Sequence, residues 1–106
     1  MTVVTTENIA GKRIVRTLGL ARGNTVRARH IGRDILAALR GIVGGEVHEY
    51  TKLLAESREQ TIDNMVAEAK SLGGNAVVRS SFITSYISAN MAELLAYGTA
   101  VVIEDE

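Results

Sequence analysis

Apolar residues near the start of the chain recur with a period of two. Val3–Thr6 is a short β-prone run, and Asn8 to Lys12, with Gly11, reads as a turn. Over Arg13–Leu20 the alternation puts Ile14, Leu18 and Leu20 on one side with Arg16, and Val15 and Thr17 on the other. That is the pattern of a half-buried strand. Arg22-Gly23-Asn24 reads as a turn, and Thr25–Ala28 as a brief strand or extended link. The period then lengthens. Ile31, Ile35, Leu39 and Ile42 are spaced by three or four, with Leu36 and Val43 widening the stripe, so a short helix is expected over Ile31 to Val43. Gly41 and Gly44-Gly45 end it, as glycine past a helix C-terminus does.

The stretch the rest is built around is Gly44 to Leu72, expected as one long amphipathic helix stopped by Gly73-Gly74. Steps of about 100° per residue place Val47, Tyr50, Leu53, Leu54, Met65, Ala69 and Leu72 on one face. Glu49, Lys52, Glu56, Glu59, Asp63 and Lys70 occupy the other. Glu46 and Glu49 fall in the first turn, where the helix dipole favours negative charge. Two strands come after it. Asn75–Ile87 alternates Ala76, Val78, Phe82 and Tyr86 against Val77, Ile83 and Ile87, and Ser88-Ala89-Asn90 is the turn. Met91–Ile103 is apolar on both sides: Leu94, Ala96, Ala100 and Val102 against Leu95, Tyr97, Val101 and Ile103. Such a strand belongs in the middle of a sheet with both faces covered. One long helix covers one face, so a neighbouring subunit is expected to supply the missing cover.

Composition narrows the chemistry. A chain of 106 residues is a single domain, 1–106. The four aromatic residues are Tyr50, Phe82, Tyr86 and Tyr97, so the core is aliphatic. With no cysteine, disulfides and thiolate metal sites are excluded. No basic-then-apolar leader and no apolar run of about 20 residues is present, which makes the cytoplasm the expected location and a membrane no partner. Residues 1–43 carry eight basic and two acidic groups, and residues 44–106 carry four basic and ten acidic. Arginines interspersed with apolar residues, and almost no aromatics beside them, argue against nucleic acid. The two halves are expected to face each other, within a subunit or between neighbours.

The run IGRDILAALRGIVGGEVHEYTKLLAESREQTIDNMVAEAKSLGGNAVV, followed by FITSYI and AELLAYGTAVV, closely resembles the YbjQ-like family over nearly the whole chain. These are small bacterial and archaeal proteins of uncharacterised function that carry a heavy-metal-binding label. The most specific pieces are Gly44-Gly45-Glu46, Glu49-Tyr50-Thr51, Arg58, Met65, Glu68-Ala69 and Tyr97-Gly98-Thr99-Ala100-Val101. The resemblance implies an α+β subunit of β-α-β-β order, similar to a dodecin subunit. Its sheet is antiparallel, backed by the long helix and the short one before it, and five copies form a ring. Ser57, Gln60-Thr61, Gly74 and Arg79 depart from the usual pattern; Arg79 stands where glycine is frequent.

The label invites a metal search. Without cysteine, His30 and His48 are the nitrogen ligands, and they form no helical metal pattern. A carboxylate site from Glu46, Glu49 or Asp34 would suit a hard divalent ion. Two polar residues fall on the apolar helix face. Arg58 lies between Leu54, Met65 and Ala69, and Glu68 lies beside Tyr50 and Thr61. A buried charge needs a partner, so these are either structural ion pairs or an anion anchor between helix and sheet. Gly44-Gly45 precedes a helix N-terminus and is either a tight turn or an anion site. No G-x-S-x-G, G-x-G-x-x-G or G-x4-G-K-[ST] fingerprint is present. The expected function is therefore a non-enzymatic homo-oligomeric, pentameric module. It would bind a small ligand or metal ion at subunit junctions, through Glu46, Tyr50 and Arg58 with Glu68 behind them. An enzyme using the same inward residues as acid and base, and a scaffold for protein partners, are the alternatives.

Overall fold

The computed structural model describes residues 1–28, 47–88 and 91–106, and side chains for 1–25, 55–85 and 93–106. Its elements are β1 (Thr2–Val3), β2 (Lys12–Ala28), α1 (Val47–Ser71), β3 (Ala76–Ser88) and β4 (Met91–Asp105). The strands form one sheet in the order β1-β3-β4-β2. β4 lies inside it, antiparallel to both neighbours, where its two apolar faces require it to be. β3 and β4 pair down to Ser88↔Met91; Ala89 and Asn90 of the expected turn lie outside the described residues, as does the expected helix Ile31–Val43.

Two expectations about the sheet need correction. It is mixed, not antiparallel: β1 runs parallel to β3, pairing Thr2 with Ala76 and Val3 with Val77. The chain between these two strands is long enough for the crossover that parallel pairing needs. Second, Arg22-Gly23-Asn24 is no turn. β2 continues unbroken through Arg22↔Tyr97, Gly23↔Ala96 and Asn24↔Leu95. Gly23 serves a close approach instead, because a Cβ there would meet Met65 N at 2.2 Å and Thr61 O at 2.4 Å.

Bulges rearrange the faces. β2 slips against β4 between Ile14 and Arg16 and again between Thr17 and Gly19, and β3 slips between Val78 and Ser81. Each extra residue turns the next stretch of strand to the other face. Ile14, Leu18 and Leu20 therefore do not share a side: Leu18 joins the core under α1, Ile14 joins the core on the second face, and Leu20 is 57% exposed. Likewise Phe82 packs with Val77, while Ala76 and Val78 face the other way. The β3 bulge holds Arg79 at φ +50°, a conformation that costs a side-chain-bearing residue roughly 1–2 kcal/mol. Glycine is at ease there. Arg79→Gly is expected to leave stability within about 1 kcal/mol, since the exposed Arg79–Glu7 pair at 2.6 Å contributes little. Arg79→Val, β-branched, is expected to lose roughly 1–2 kcal/mol in urea unfolding.

Among the described residues, two small cores result. Under α1, Ala21, Met65, Ala69, Val77, Ala96 and Ala100 are buried. On the second face, Ala76, Val78 and Val101 are covered by Val4 and Ile9 and flanked by Ile14 and Ile103. Val4 donates its N–H to the Val77 carbonyl at 2.9 Å, and Ser80 donates to the Val4 carbonyl at 3.0 Å, which fixes this N-terminal strap. The chain thus covers part of its own second face, more than its element pattern suggests. Beyond the strap, Ile83 is 43% exposed, and Leu95, Tyr97 and Thr99 are half-buried.

α1 ends as expected, one residue earlier. Gly73, at φ +92°, donates to the Lys70 carbonyl and Gly74 to the Ala69 carbonyl, both at 2.9 Å. This pair of bonds is the Schellman cap that a left-handed glycine allows. The buried stripe of α1 is Ser57, Thr61, Met65 and Ala69, one step around from the expected face. Arg58 is on the exposed side, and Leu72 is 43% exposed. Small residues win the inner stripe because Ala21, Gly23, Ala96 and Ala100 bring the sheet backbone close. Buried Thr61 satisfies its hydroxyl by donating to the Ser57 carbonyl at 2.8 Å, and it lies 2.9 Å from the Thr25 hydroxyl.

Candidate functional site: a groove between the helix and the third strand

α1 packs mainly over β2 and β4; it covers Val77 of β3 but leaves the helix side of β3 open around Phe82. A half-open groove of about 230 Å³ results. Ile62 and Met65 of α1 form one wall, Val3 closes one end, and Phe82 and Ala96 make the floor; Thr5, Ser80 and Ser81 add hydroxyls. It is smaller than the roughly 300–1,000 Å³ of ordinary ligand pockets. It suits a single aliphatic or aromatic group. Among the described residues no titratable side chain lines it, so they offer it no acid or base. Nothing in the sequence marks it, because Val3, Ile62 and Phe82 look like any core residues.

Of the expected site residues, Arg58 and Glu68 have described side chains, and these two do not converge. Gly44, Gly45 and Glu46 lie outside the described residues, and Tyr50 lies on α1 with its side chain outside them. Arg58 and Glu68 sit ten positions apart on one helix, about 15 Å along its axis. The expected inward position of Arg58 is incorrect, since its side chain is exposed. Glu68 is half-buried and reaches the edge of β2, where a carboxylate oxygen accepts the Arg22 backbone N–H at 3.2 Å. One turn earlier, Asn64 donates its side-chain amide to the Asn24 carbonyl at 3.4 Å. The two side chains do at β2's edge what a neighbouring strand's backbone would do.

The far end of the sheet is stitched by Lys12–Asp105 and by Arg13–Glu104 at 3.2 Å, joining the basic start of the chain to its acidic end. The Lys12 hydrogen bond, helped by its charge, holds the Asp105 carboxyl below the usual carboxylate range. A depressed carboxylate contributes stability above its unfolded pKa, and the contribution is lost as pH falls through the folded one. Lys12→Met is expected to return Asp105 to the ordinary range in an NMR titration. An unchanged titration would mean that the pair is not formed in solution.

Residues 1–104 match the YbjQ_1 family model, described as "Putative heavy-metal-binding". The UPF0145 protein of Pyrococcus abyssi is 59% identical over 104 residues, covering 98% of this chain and 91% of that protein. The UPF0145 protein of Methanosarcina acetivorans is 53% identical over 103 residues, covering 97% of each. Among solved structures, a protein of unknown function of the DUF74 family from Pediococcus pentosaceus superposes with a TM-score of 0.64 at 13% identity, covering 98% of both chains; this is a likeness of fold alone. The described residues do not fit a heavy metal. The chain has no cysteine, and among the described residues no three His, Asp or Glu side chains gather. Both histidine side chains lie outside the described set. Soft metals prefer thiolate or imidazole donors. Among the described residues, no helix is long and apolar enough to cross a membrane. With its match spanning residues 1–104 and relatives identical at more than half of the aligned positions, the chain belongs to the YbjQ-like family of UPF0145 proteins.

Proposed function

We propose that this chain is a non-enzymatic homo-oligomeric module, a dodecin-like ring of five, that holds a small ligand at its subunit junctions. The uncovered part of the second sheet face carries this reading. Leu20 and Ile83 are 57% and 43% exposed there, and Leu95 and Tyr97 lie half-buried between them. Fully covering a residue of that size is worth roughly 1.5–3 kcal/mol, and a contiguous apolar patch usually marks a contact surface. Shape supports it too. The radius of gyration is 16.9 Å, against about 13 Å for a compact domain near 100 residues. Arg58 on the surface of α1 and Glu68 at the edge of β2 stand where a neighbour reaches them. The groove over Phe82 favours an apolar ligand group over a metal ion.

Native mass spectrometry of the protein purified from its own cell tests this reading, reporting subunit number and retained ligand together. A ring of five is expected. Leu20→Lys with Ile83→Lys is expected to shift the mass toward the monomer while circular dichroism stays native. A wild-type chain that sediments as a compact monomer at micromolar concentration would overturn the proposal.

A further inference from the structure

The two edges of the sheet are not alike. On β3, the N-terminal strap uses the edge only as far as Ser80: β1 pairs with Ala76 and Val77, and Arg79 and Ser80 donate to the Thr6 and Val4 carbonyls. From Ser81 to Ser88 no described strand lies beyond β3. Where its side chains are described, the same half is open on both faces. Phe82 floors the open groove on the helix side, and Ile83 is 43% exposed on the other. The segment SFITSYIS has no charge and no proline. An edge that is β-prone, neutral and unprotected is a template for another strand.

We infer that this half of β3 receives β2 of a second copy, laid parallel and head to tail, so that the sheet continues from one copy into the next. The inference rests on the homo-oligomeric reading above. Three observations select β2 of another copy as the occupant. First, β2 is the opposite outer strand, and past its second bulge it runs without a slip from Gly19↔Ala100 to Ala28↔Met91. That is a straight edge long enough for Ser81–Tyr86, up to β3's own slip between Tyr86 and Ser88. Both strands are antiparallel to β4, so they share a direction and a copy shifted sideways presents β2 parallel to β3.

Second, α1 packs mainly over β2 and β4 and touches β3 only slightly, with Val77 in the shared core. A copy joined by its β2 therefore brings its own helix alongside the groove and closes it over Phe82. Two β3 edges joined about a two-fold axis would leave both grooves open. Third, charge excludes β2 against β2. That strand carries Lys12, Arg13, Arg16, Arg22 and Arg27 and no acid, and like charges set opposite each other destabilise a strand pair. The neutral half of β3, Ser81–Ser88, sets nothing against them. The Glu68 and Asn64 bonds that hold two edge groups of β2 are long, at 3.2 and 3.4 Å, and a neighbour's backbone replaces them. The junction also accounts for the two most exposed apolar residues of the second face. Leu20 and Ile83 sit on the two outer strands that meet.

Because the chain has no cysteine, engineered disulfides test this directly. Asn24 and Ile83 both pair with Leu95, on its opposite sides. Within one copy they are therefore about 9.6 Å apart across two strand spacings, beyond the roughly 4.4–6.8 Å that a disulfide spans between Cα atoms. A chain carrying N24C with I83C crosslinks only between copies whose junction is level. L20C with I83C crosslinks if the junction is staggered by the four positions between Leu95 and Thr99. On mild oxidation, one of these double variants is expected to give a ladder of covalent multimers on a denaturing gel, ending at the native subunit number. Each single-cysteine variant is expected to stay monomeric there. If native mass spectrometry shows an oligomer but neither double variant ladders, or I83C alone dimerises, the head-to-tail junction is wrong while the oligomer stands. A native monomer overturns both.

Discussion

Gly23→Ala is expected to destabilise the chain by about 3 kcal/mol, toward the upper end of overpacking costs. With a urea m-value near 1 kcal/mol per molar for a domain of this size, the unfolding midpoint should fall by roughly 3 M. The cause is backbone against backbone. An added Cβ would sit 2.2 Å from Met65 N, 2.4 Å from Thr61 O and 2.8 Å from Asn64 C. Rotating a side chain relieves none of these contacts, because all three belong to the main chain of α1. The helix must lift, and lifting it opens the packing of Met65 and Ala69 on Ala21, Ala96 and Ala100. Gly11→Ala is a useful contrast. Gly11 has nothing within 4 Å of its missing Cβ but lies at φ +77°, so its penalty is conformational, about 1 kcal/mol. Equal costs at the two glycines would mean that α1 does not approach β2 this closely.

Met65→Ala is expected to cost about 3 kcal/mol, within the range for truncating a large buried side chain. Met65 is 1% exposed, the largest fully buried side chain among the described residues, and it sits in a core otherwise made of alanine and valine. Its fully buried neighbours have no side-chain length with which to fill the space, and the larger Leu18, Ile62 and Phe82 pack at the margin of this core. Met65 also walls the groove over Phe82, so truncation should join the lost volume to the groove. Met65→Leu, nearly volume-conserving, is expected to cost less than about 1.5 kcal/mol. Urea unfolding of the pair measures the difference. A loss below about 1 kcal/mol for the alanine variant would show that α1 settles into the space.

Much of the architecture was legible in the residues. Hydropathy placed the end of α1 within one residue of Ser71, and the Gly73-Gly74 stop reappears as a Schellman cap. A strand apolar on both faces had to be interior, and β4 is. These are local properties: a helix end depends on its own glycines, and a two-faced strand depends on its own side chains. The candidate site was hardly legible. The expected apolar face, Val47, Tyr50, Leu53, Leu54, Met65, Ala69 and Leu72, includes the position of Arg58, whereas the buried stripe is Ser57, Thr61, Met65 and Ala69.

The chain alone determined the long helix followed by two strands, its aliphatic core and the absence of thiolate chemistry, because composition and periodicity act residue by residue. The tertiary structure decided which face each residue takes. A bulge inserts one residue and reverses everything after it, and no period-two pattern announces where it falls. It also decided the meaning of Gly23. Glycine in a turn and glycine under a crossing helix are the same letter, told apart only by the backbone that passes 2.2 Å from the missing Cβ.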